Sequence, residues 1–197
     1  MTHRFVSSGL MFVVAVLVAA CASAPPPKFY TLSRTPAPGA PPTTVSVMVG
    51  PVSIPSVVDQ PQIVVSAGAN QVTMDEFNRW ASPLASNISR VVADNLADLL
   101  GTSRVSLFQQ SLNVDADFRV AIEVQTFESA PGDAATMNAV WVVRRTRDGK
   151  FESGRTAVRE ATGDKSYDAL AAAHSRALSQ LSQDIAAAIR TLARSAS

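Results

Sequence analysis

Residues 76–101 read EFNRWASPLASNISRVVADNLADLLG, and this stretch decides how the chain folds. Its apolar side chains recur every three or four residues, the spacing of one helical face: Leu84, Ile88, Val91, Val92, Leu96, Leu99 and Leu100. Pro83 suits the first helical turn, Ser82 the N-cap and Gly101 the C-terminal cap. The stretch therefore predicts an amphipathic helix that begins at Pro83 and ends before Gly101.

Strand patterns lie on both sides of this helix. Before it, residues 45–49, 62–66 and 71–73 are rich in β-formers. After it, candidate strands cover residues 104–108, 118–127, 136–146 and 151–162, and Asp148-Gly149 is a hairpin turn signal. A second apolar stripe, from Leu170 to Leu192, predicts a final helix. We therefore expect an α+β fold: a two-layer sandwich in which two amphipathic helices pack on one face of a mainly antiparallel sheet.

The first twenty residues predict a secretory signal peptide. Arg4 precedes an apolar run at residues 10–18, which is too short to span a bilayer. Val18-Ala19-Ala20-Cys21 is similar to a bacterial lipobox, and the single cysteine of the chain falls where such a motif needs it. We expect cleavage before Cys21 and acylation of its thiol; an ordinary signal peptide followed by a free thiol is the alternative. By similarity to lipoprotein sorting rules, the Ala22-Ser23 that follows predicts the outer membrane, facing the periplasm.

Three regions follow from this reading. Residues 1–20 are the signal, and residues 21–42 are an acylated cysteine and a Pro-rich tether with a short edge strand at residues 29–33. Residues 43–197 are the globular domain. A spacer of seven residues before that strand reaches only about 20 Å, which keeps the domain close to the membrane.

Composition excludes several classes of function. The 197 residues carry 17 basic and 16 acidic side chains, a balance that argues against nucleic-acid binding. One cysteine and two histidines leave too little for a disulfide framework or a zinc site. His174 lies on the apolar stripe of the last helix beside Ser175, so we interpret it as a core-edge residue. Asp115 and Asp117 lack the glycine and distal glutamate of a calcium loop. We expect no catalytic residues, metal or cofactor.

Two groups of residues are candidates for binding a partner. Arg144, Arg145 and Arg147 form the basic cluster next to the predicted hairpin turn; a charged hairpin end that prevents edge aggregation is the alternative reading. Arg79 and Trp80 precede the helix, and aromatic and arginine side chains dominate protein interfaces. Trp80 also fits a structural role, in which it fastens the loop to the helix.

Specific motifs in residues 30–101 resemble the PqiC family of ABC-type transport auxiliary lipoproteins. Tyr30-Thr31-Leu32 follows the lipobox, and Gly50-Pro51-Val52-Ser53-Ile54-Pro55 leads to Asp59-Gln60-Pro61-Gln62-Ile63-Val64. The most specific part is Arg79-Trp80-Ala81-Ser82-Pro83-Leu84, which runs into the helix ending in Leu100-Gly101. The resemblance spans residues 18–193. Many members have arginine where this chain has Gln60, so a charge-based role at that position is in doubt.

The resemblance implies a non-catalytic subunit of an envelope lipid-transport machine. Its partners would be a periplasm-spanning MCE-domain protein and an integral inner-membrane protein, and it would dock the conduit at the outer membrane. A homo-oligomer is an open alternative, since no residue pattern requires one. Two other functions stay open: a periplasmic lipid carrier, which needs an apolar cavity of several hundred Å³ between sheet and helices, and an assembly factor for an outer-membrane channel.

Overall fold

The computed structural model describes residues 25–36, 40–108 and 115–195. Cys21 and the signal peptide lie outside these ranges, so lipidation stays a prediction. Within them the chain forms two β-sheets and two α-helices, which confirms the α+β class. Neither helix is long and apolar enough to cross a membrane in this part of the chain.

A small sheet contains three strands. They are β1 (Lys28–Tyr30), β3 (Gln62–Gly68) and β4 (Gln71–Trp80), in the order β1-β4-β3. β1 pairs in parallel with the end of β4, whereas β3 and β4 form an antiparallel hairpin. The edge strand predicted in the tether is thus part of this sheet. Leu32, just after β1, is fully buried, so this part of residues 21–42 packs against the domain.

A large sheet contains five strands, β2 (Val47–Ser53), β5 (Val105–Leu107), β6 (Phe118–Ala130), β7 (Ala134–Arg145) and β8 (Phe151–Ala161). Their order is β5-β2-β6-β7-β8. The long pairings, β6 with β7 and β7 with β8, are antiparallel as predicted. The short pairings of β2 with β5 and β6 are parallel. We did not predict these parallel pairings, nor the division into two sheets.

The two helices are α1 (Leu84–Leu100) and α2 (Tyr167–Arg194). Ser166 caps α2, because its hydroxyl accepts a 3.1 Å hydrogen bond from the Ala169 amide. The predicted N-cap of α1 is wrong: Pro83 holds that position and supplies no side-chain bond. Gly101 ends α1 as predicted, with a φ of 61°. A side chain there would also collide with the Pro41 carbonyl, so the site favours glycine twice over.

Both helices cover one face of the large sheet. α1 lies over β2 and β5, and α2 lies over β7 and β8. The apolar stripes predicted from the sequence form the core, which includes Leu84, Ile88, Leu96, Leu178 and Ile185. The small sheet is fastened to α2 at its start, where the Tyr167 hydroxyl donates a 2.7 Å hydrogen bond to Asp75. On the opposite face of the large sheet, its outer face, Arg119, Arg144 and Phe151 are exposed, whereas Met48, which pairs with Arg119, is buried.

Candidate partner-binding site

Trp80 is a core residue in this structure. It is the last residue of β4, and only 5% of its surface is exposed. Its indole meets Phe127 and His174 edge-on, with ring centroids 6.3 and 6.5 Å away. It therefore packs against β6 and α2. Partner binding through Trp80 stays a prediction, and its burial means that direct contact would need a rearrangement.

Arg79 points away from Trp80, because neighbouring strand residues face opposite sides of a sheet. Its Nε donates a 3.0 Å hydrogen bond to the Glu76 carbonyl, and its terminal nitrogen lies 3.5 Å from the Glu76 carboxylate. The side chain is about a third exposed, at 36%. The structure thus separates the predicted Arg79-Trp80 pair onto the two faces of the small sheet.

Arg145 fastens the β7–β8 hairpin to the end of α2. Its guanidinium forms two hydrogen bonds to the Asp148 carboxylate, of 2.9 and 2.6 Å, and it also donates to the Leu192 carbonyl. These bonds from Arg145 lower the pKa of Asp148 to about 2. Only 4% of the Arg145 side chain is exposed. Its contacts are those of a structural residue, and partner binding through it stays a prediction.

Arg144 and Arg147 are the exposed members of the basic cluster. Arg147 lies in the hairpin turn. Arg144 lies on the outer face of the large sheet, with its guanidinium carbon 5.6 Å from the centre of the Phe151 ring, a cation–π distance. Phe151 is itself 60% exposed. An arginine and an aromatic ring are therefore presented together at this end of the hairpin.

Arg119 joins them through the strand register. It pairs with Arg144 across β6 and β7, and Arg144 pairs with Phe151 across β7 and β8. We call these three residues the basic row. Neither Arg119 nor Arg144 forms an ion pair among the described residues, and the rest of the chain contains no aspartate or glutamate side chain. Like charges directly opposite each other are destabilising, so this row favours an anionic partner.

Arg119 and Phe151 were not predicted as members of this candidate site. The strands that contain them, β6 and β8, were predicted, and the alternation of β6 is enough to put Arg119 on the solvent side. The missing step was the register between β6 and β7. The tight turn between Ala130 and Ala134 sets that register only together with a bulge between Val124 and Thr126, which shifts the pairing by one residue and so places Arg119 opposite Arg144.

A buried serine–histidine pair lies where the three rings of the core meet. His174 is fully buried and stacked on Phe127 at 3.8 Å, and its Nε2 lies 2.8 Å from the Ser129 hydroxyl. Burial lowers its pKa to about 3, so the ring is neutral at physiological pH. From the sequence, only Ser175 was considered as a serine beside His174. Its hydroxyl donates a hydrogen bond to the Ala171 carbonyl.

The distance between Ser129 and His174 is that of a catalytic nucleophile and its base, but their surroundings are not those of an active site. Ser129 is 3% exposed, so a substrate cannot reach it in this conformation. The other ring nitrogen of His174, Nδ1, has no hydrogen-bond partner among the described residues, whereas a catalytic histidine is oriented by a third group. We interpret the pair as a core hydrogen bond.

Of the two aspartates considered for calcium, Asp117 has a structural role. The Asp117 carboxylate accepts hydrogen bonds of 2.8 Å from the Ser46 amide and 2.7 Å from its hydroxyl, which lowers the pKa of Asp117. It thereby joins the start of β6 to β2. Among the described residues, no group of three or more histidine, cysteine or acidic side chains is placed to hold a metal ion.

The space between the large sheet and the helices is filled. Fully buried side chains from both layers meet there, including Val120, Met137, Leu178 and Leu181. A depression of about 260 Å³ lies instead at the surface, between the end of β2 and the start of α1. Three further depressions, of about 300, 340 and 370 Å³, are likewise open to solvent at the surface, whereas a ligand pocket encloses most of the surface of its ligand. This packing gives no support to a lipid carrier.

The chain matches a known protein family. A family model described as "ABC-type transport auxiliary lipoprotein component" matches residues 30–186. The chain belongs to this family. The match begins at Tyr30, the last residue of β1, and spans the other strands of both sheets, α1 and most of α2, and it confirms the PqiC-like resemblance. The family is one of transport auxiliary lipoproteins rather than a class of enzymes, and membership implies association with a membrane.

Solved structures share the fold. The protein XCC0632 from Xanthomonas campestris, of the DUF330 family, has a TM-score of 0.69 and 23% identity, and the match covers 86% of this chain and 99% of that one. An uncharacterized protein has a TM-score of 0.68 and 19% identity, with 84% and 99% covered. Likeness at these identities supports the fold alone. No curated protein matches the chain significantly by sequence.

Proposed function

We propose that this protein is a non-catalytic lipoprotein subunit of an MCE-type intermembrane lipid transport system. It is anchored to the outer membrane through acylated Cys21 and faces the periplasm, where it docks the MCE-domain component whose other end meets the integral inner-membrane protein. The observation that carries this proposal is the family match over residues 30–186. The packed interior favours docking over carrying lipid inside the domain.

The basic row is the docking face in this proposal. Arg119 and Arg144 are exposed cations without an acidic partner, and Phe151 adds an exposed ring beside them. Arginine and aromatic side chains are the types that most often anchor an interface. Arg147, at the tip of the same hairpin, extends the positive charge. The partner surface would therefore be acidic, with an apolar contact for Phe151.

Site-specific crosslinking in intact envelopes tests the docking face. A photoreactive amino acid replaces Phe151 in the native acylated protein, and captured partners are identified by mass spectrometry. Gln180, exposed on α2 and away from the large sheet's outer face, is the matched control. We expect an MCE-domain protein to be captured from Phe151 and not from Gln180.

The other outcomes contradict the proposal in different ways. Capture of an MCE-domain protein from Gln180 alone would keep the function and move the docking face to the helices. Capture of only an outer-membrane barrel, or of only other copies of this chain, would contradict the transport role. The barrel result would favour the assembly-factor function.

A further inference from the structure

The outer face of the small sheet is largely apolar and is exposed along β1 and β4, whereas Val64 of β3 is buried. This face lies opposite Trp80. The strand register places Phe29 and Arg79 on it, and strand alternation adds Phe77, two residues before Arg79. Met74 and Val72 follow on the same side, because their partners on β3 alternate in step with the partner of Arg79. A three-residue irregularity in β4 between Asp75 and Arg79 brings the two halves of the strand into this arrangement.

The exposure of this face is unusual for a strand surface. Phe29 is 63% exposed, Val72 50%, Met74 44% and Phe77 41%. These four are the majority of the large apolar side chains exposed in the described part of the chain; the others are Val57, Phe108 and Phe151. Contiguous exposed apolar surface marks a site of interaction with a protein or a membrane.

The position of the anchor favours the membrane. Lys28, the first residue of β1, is only seven positions after Cys21. A chain of that length reaches at most about 25 Å, and Pro25, Pro26 and Pro27 restrict its conformations further. β1 forms the edge of the small sheet, so acylation of Cys21 would hold this edge, and Phe29 on it, close to the bilayer surface.

The charges near this face are compatible with a lipid surface. Arg79 is the one basic side chain placed on it by the register, and Glu76 is its ion-pair partner. Lys28 is exposed at the start of β1, at the end nearest the anchor. Aromatic and apolar side chains flanked by basic residues are typical of segments that lie in the headgroup region.

We propose that the outer face of the small sheet rests on the lipid bilayer, with Phe29, Met74 and Phe77 inserted at the boundary between headgroups and acyl chains. The contact rests on the lipid anchor that the proposed function includes. It would fix the orientation of the domain on the membrane.

A fluorescent label on β4 tests this contact. The full-length acylated protein is reconstituted into vesicles of phosphatidylethanolamine and phosphatidylglycerol. Met74→Cys introduces the single free thiol, because the Cys21 thiol carries the anchor, and an environment-sensitive dye is attached to it. Ser153→Cys, at an exposed strand position on β8, is the matched control. Nitroxide-labelled lipids and aqueous iodide are the two quenchers.

We expect the dye at Met74→Cys to shift its emission to shorter wavelength, to be quenched by the nitroxide lipids and to be protected from iodide. The dye at Ser153→Cys should show the reverse. Replacing both Phe29 and Phe77 by serine should reduce the lipid quenching at Met74→Cys while the melting temperature is kept, since both side chains are exposed.

Three results would overturn the proposal. Iodide quenching at Met74→Cys without lipid quenching would mean that the face is in water. Protection from both quenchers would mean that a protein covers it, either another copy or a partner. Failure of the protein to float with vesicles would remove the anchor itself. The first two results leave the MCE docking test at Phe151 unaffected, so the two proposals fail independently.

Discussion

The outer faces of the two sheets differ in chemistry although one core lies behind both. The small sheet presents Phe29, Met74 and Phe77, whereas the large sheet presents Arg119 and Arg144. Burial of apolar surface away from water lowers the free energy of the system. An exposed arginine without an ion-pair partner forms its strongest hydrogen bonds with an anionic group. The difference therefore indicates two surfaces with different occupants on one small domain.

The inner sides of the same two sheets meet at one cluster of rings. Trp80 comes from the small sheet, Phe127 from the large sheet and His174 from α2, with centroids 3.8 to 6.5 Å apart. This cluster is the place where the two sheets and a helix are held together. Substitutions on it should affect stability, and substitutions on the outer faces should affect binding.

The largest expected effect is a difference in stability between substitutions on the inner and outer faces of the small sheet. Trp80→Ala should destabilise the fold by about 3–5 kcal/mol, the range found for large aromatic side chains removed from cores. This corresponds to a fall in Tm of roughly 6–20 °C for a chain of this size. Phe77→Ala, three residues earlier on the outer face, should change stability by less than about 1 kcal/mol. Thermal unfolding followed by circular dichroism compares the two.

Equal losses of stability in the two variants would contradict this prediction, because the outer face would then contribute as much to stability as the inner face. A stable Trp80→Ala variant that fails only to bind its partner would instead return Trp80 to the role of an interface residue.

The next effect concerns His174 and the pH. Its pKa is about 3 in the folded protein and near 6.5 when unfolded, so the unfolded chain takes up a proton that the folded one does not. Protonation therefore favours unfolding, and stability should fall as the pH drops from about 6 to 4, with a slope of up to about 1.4 kcal/mol per pH unit from this group. Urea unfolding at several pH values measures it.

A variant isolates the contribution of the histidine. His174→Gln has no titrating ring, and its pH slope should be smaller than that of the native protein over the same range. NMR of His174, the one histidine left after signal cleavage, provides a test without substitution. Its ring signals should not titrate between pH 7 and 4; a titration midpoint near 6.5 would mean that the ring reaches water.

The sequence predicts those parts of the fold that depend on local pattern. α1, α2 and the β7–β8 hairpin have clear periodicity or a turn signal, and all were predicted within a few residues. The parallel pairing of β1 with β4 joins residues about fifty positions apart, and no local signal encodes it. The division into two sheets follows from that pairing and was missed for the same reason.

The candidate site was predictable only in part, for a related reason. Arg144 and Arg147 could be named as candidates because they are neighbours in sequence, and Arg145 was named with them although it is buried. Arg119 needed the register of a second strand. Ser129 and His174 are 45 positions apart, and their hydrogen bond depends on how α2 packs on β6. Charge clusters are visible in a sequence, whereas burial and cross-strand pairs require the fold.

The smallest expected effect concerns the repulsion between Arg119 and Arg144 in the basic row. Arg119→Gln should raise stability by about 0.2–1 kcal/mol, since it removes repulsion from Arg144 across the strand pair. Arg144→Gln should do the same after allowance for its stacking on Phe151, and the double variant should gain little beyond either single one, because one substitution already relieves the pair. The gain should shrink as salt is added.

Arg155→Gln is the control for this effect. Arg155 lies on the same outer face, but its Nε donates a 2.6 Å hydrogen bond to the Asn138 side chain, so its replacement should bring no gain. Urea unfolding at low and high ionic strength compares all four variants. If Arg119→Gln lowers stability, or raises it equally at every salt concentration, the two guanidinium groups do not repel each other. The basic row would then be an ordinary solvated surface, and the contrast between the two outer faces would reduce to the apolar one alone.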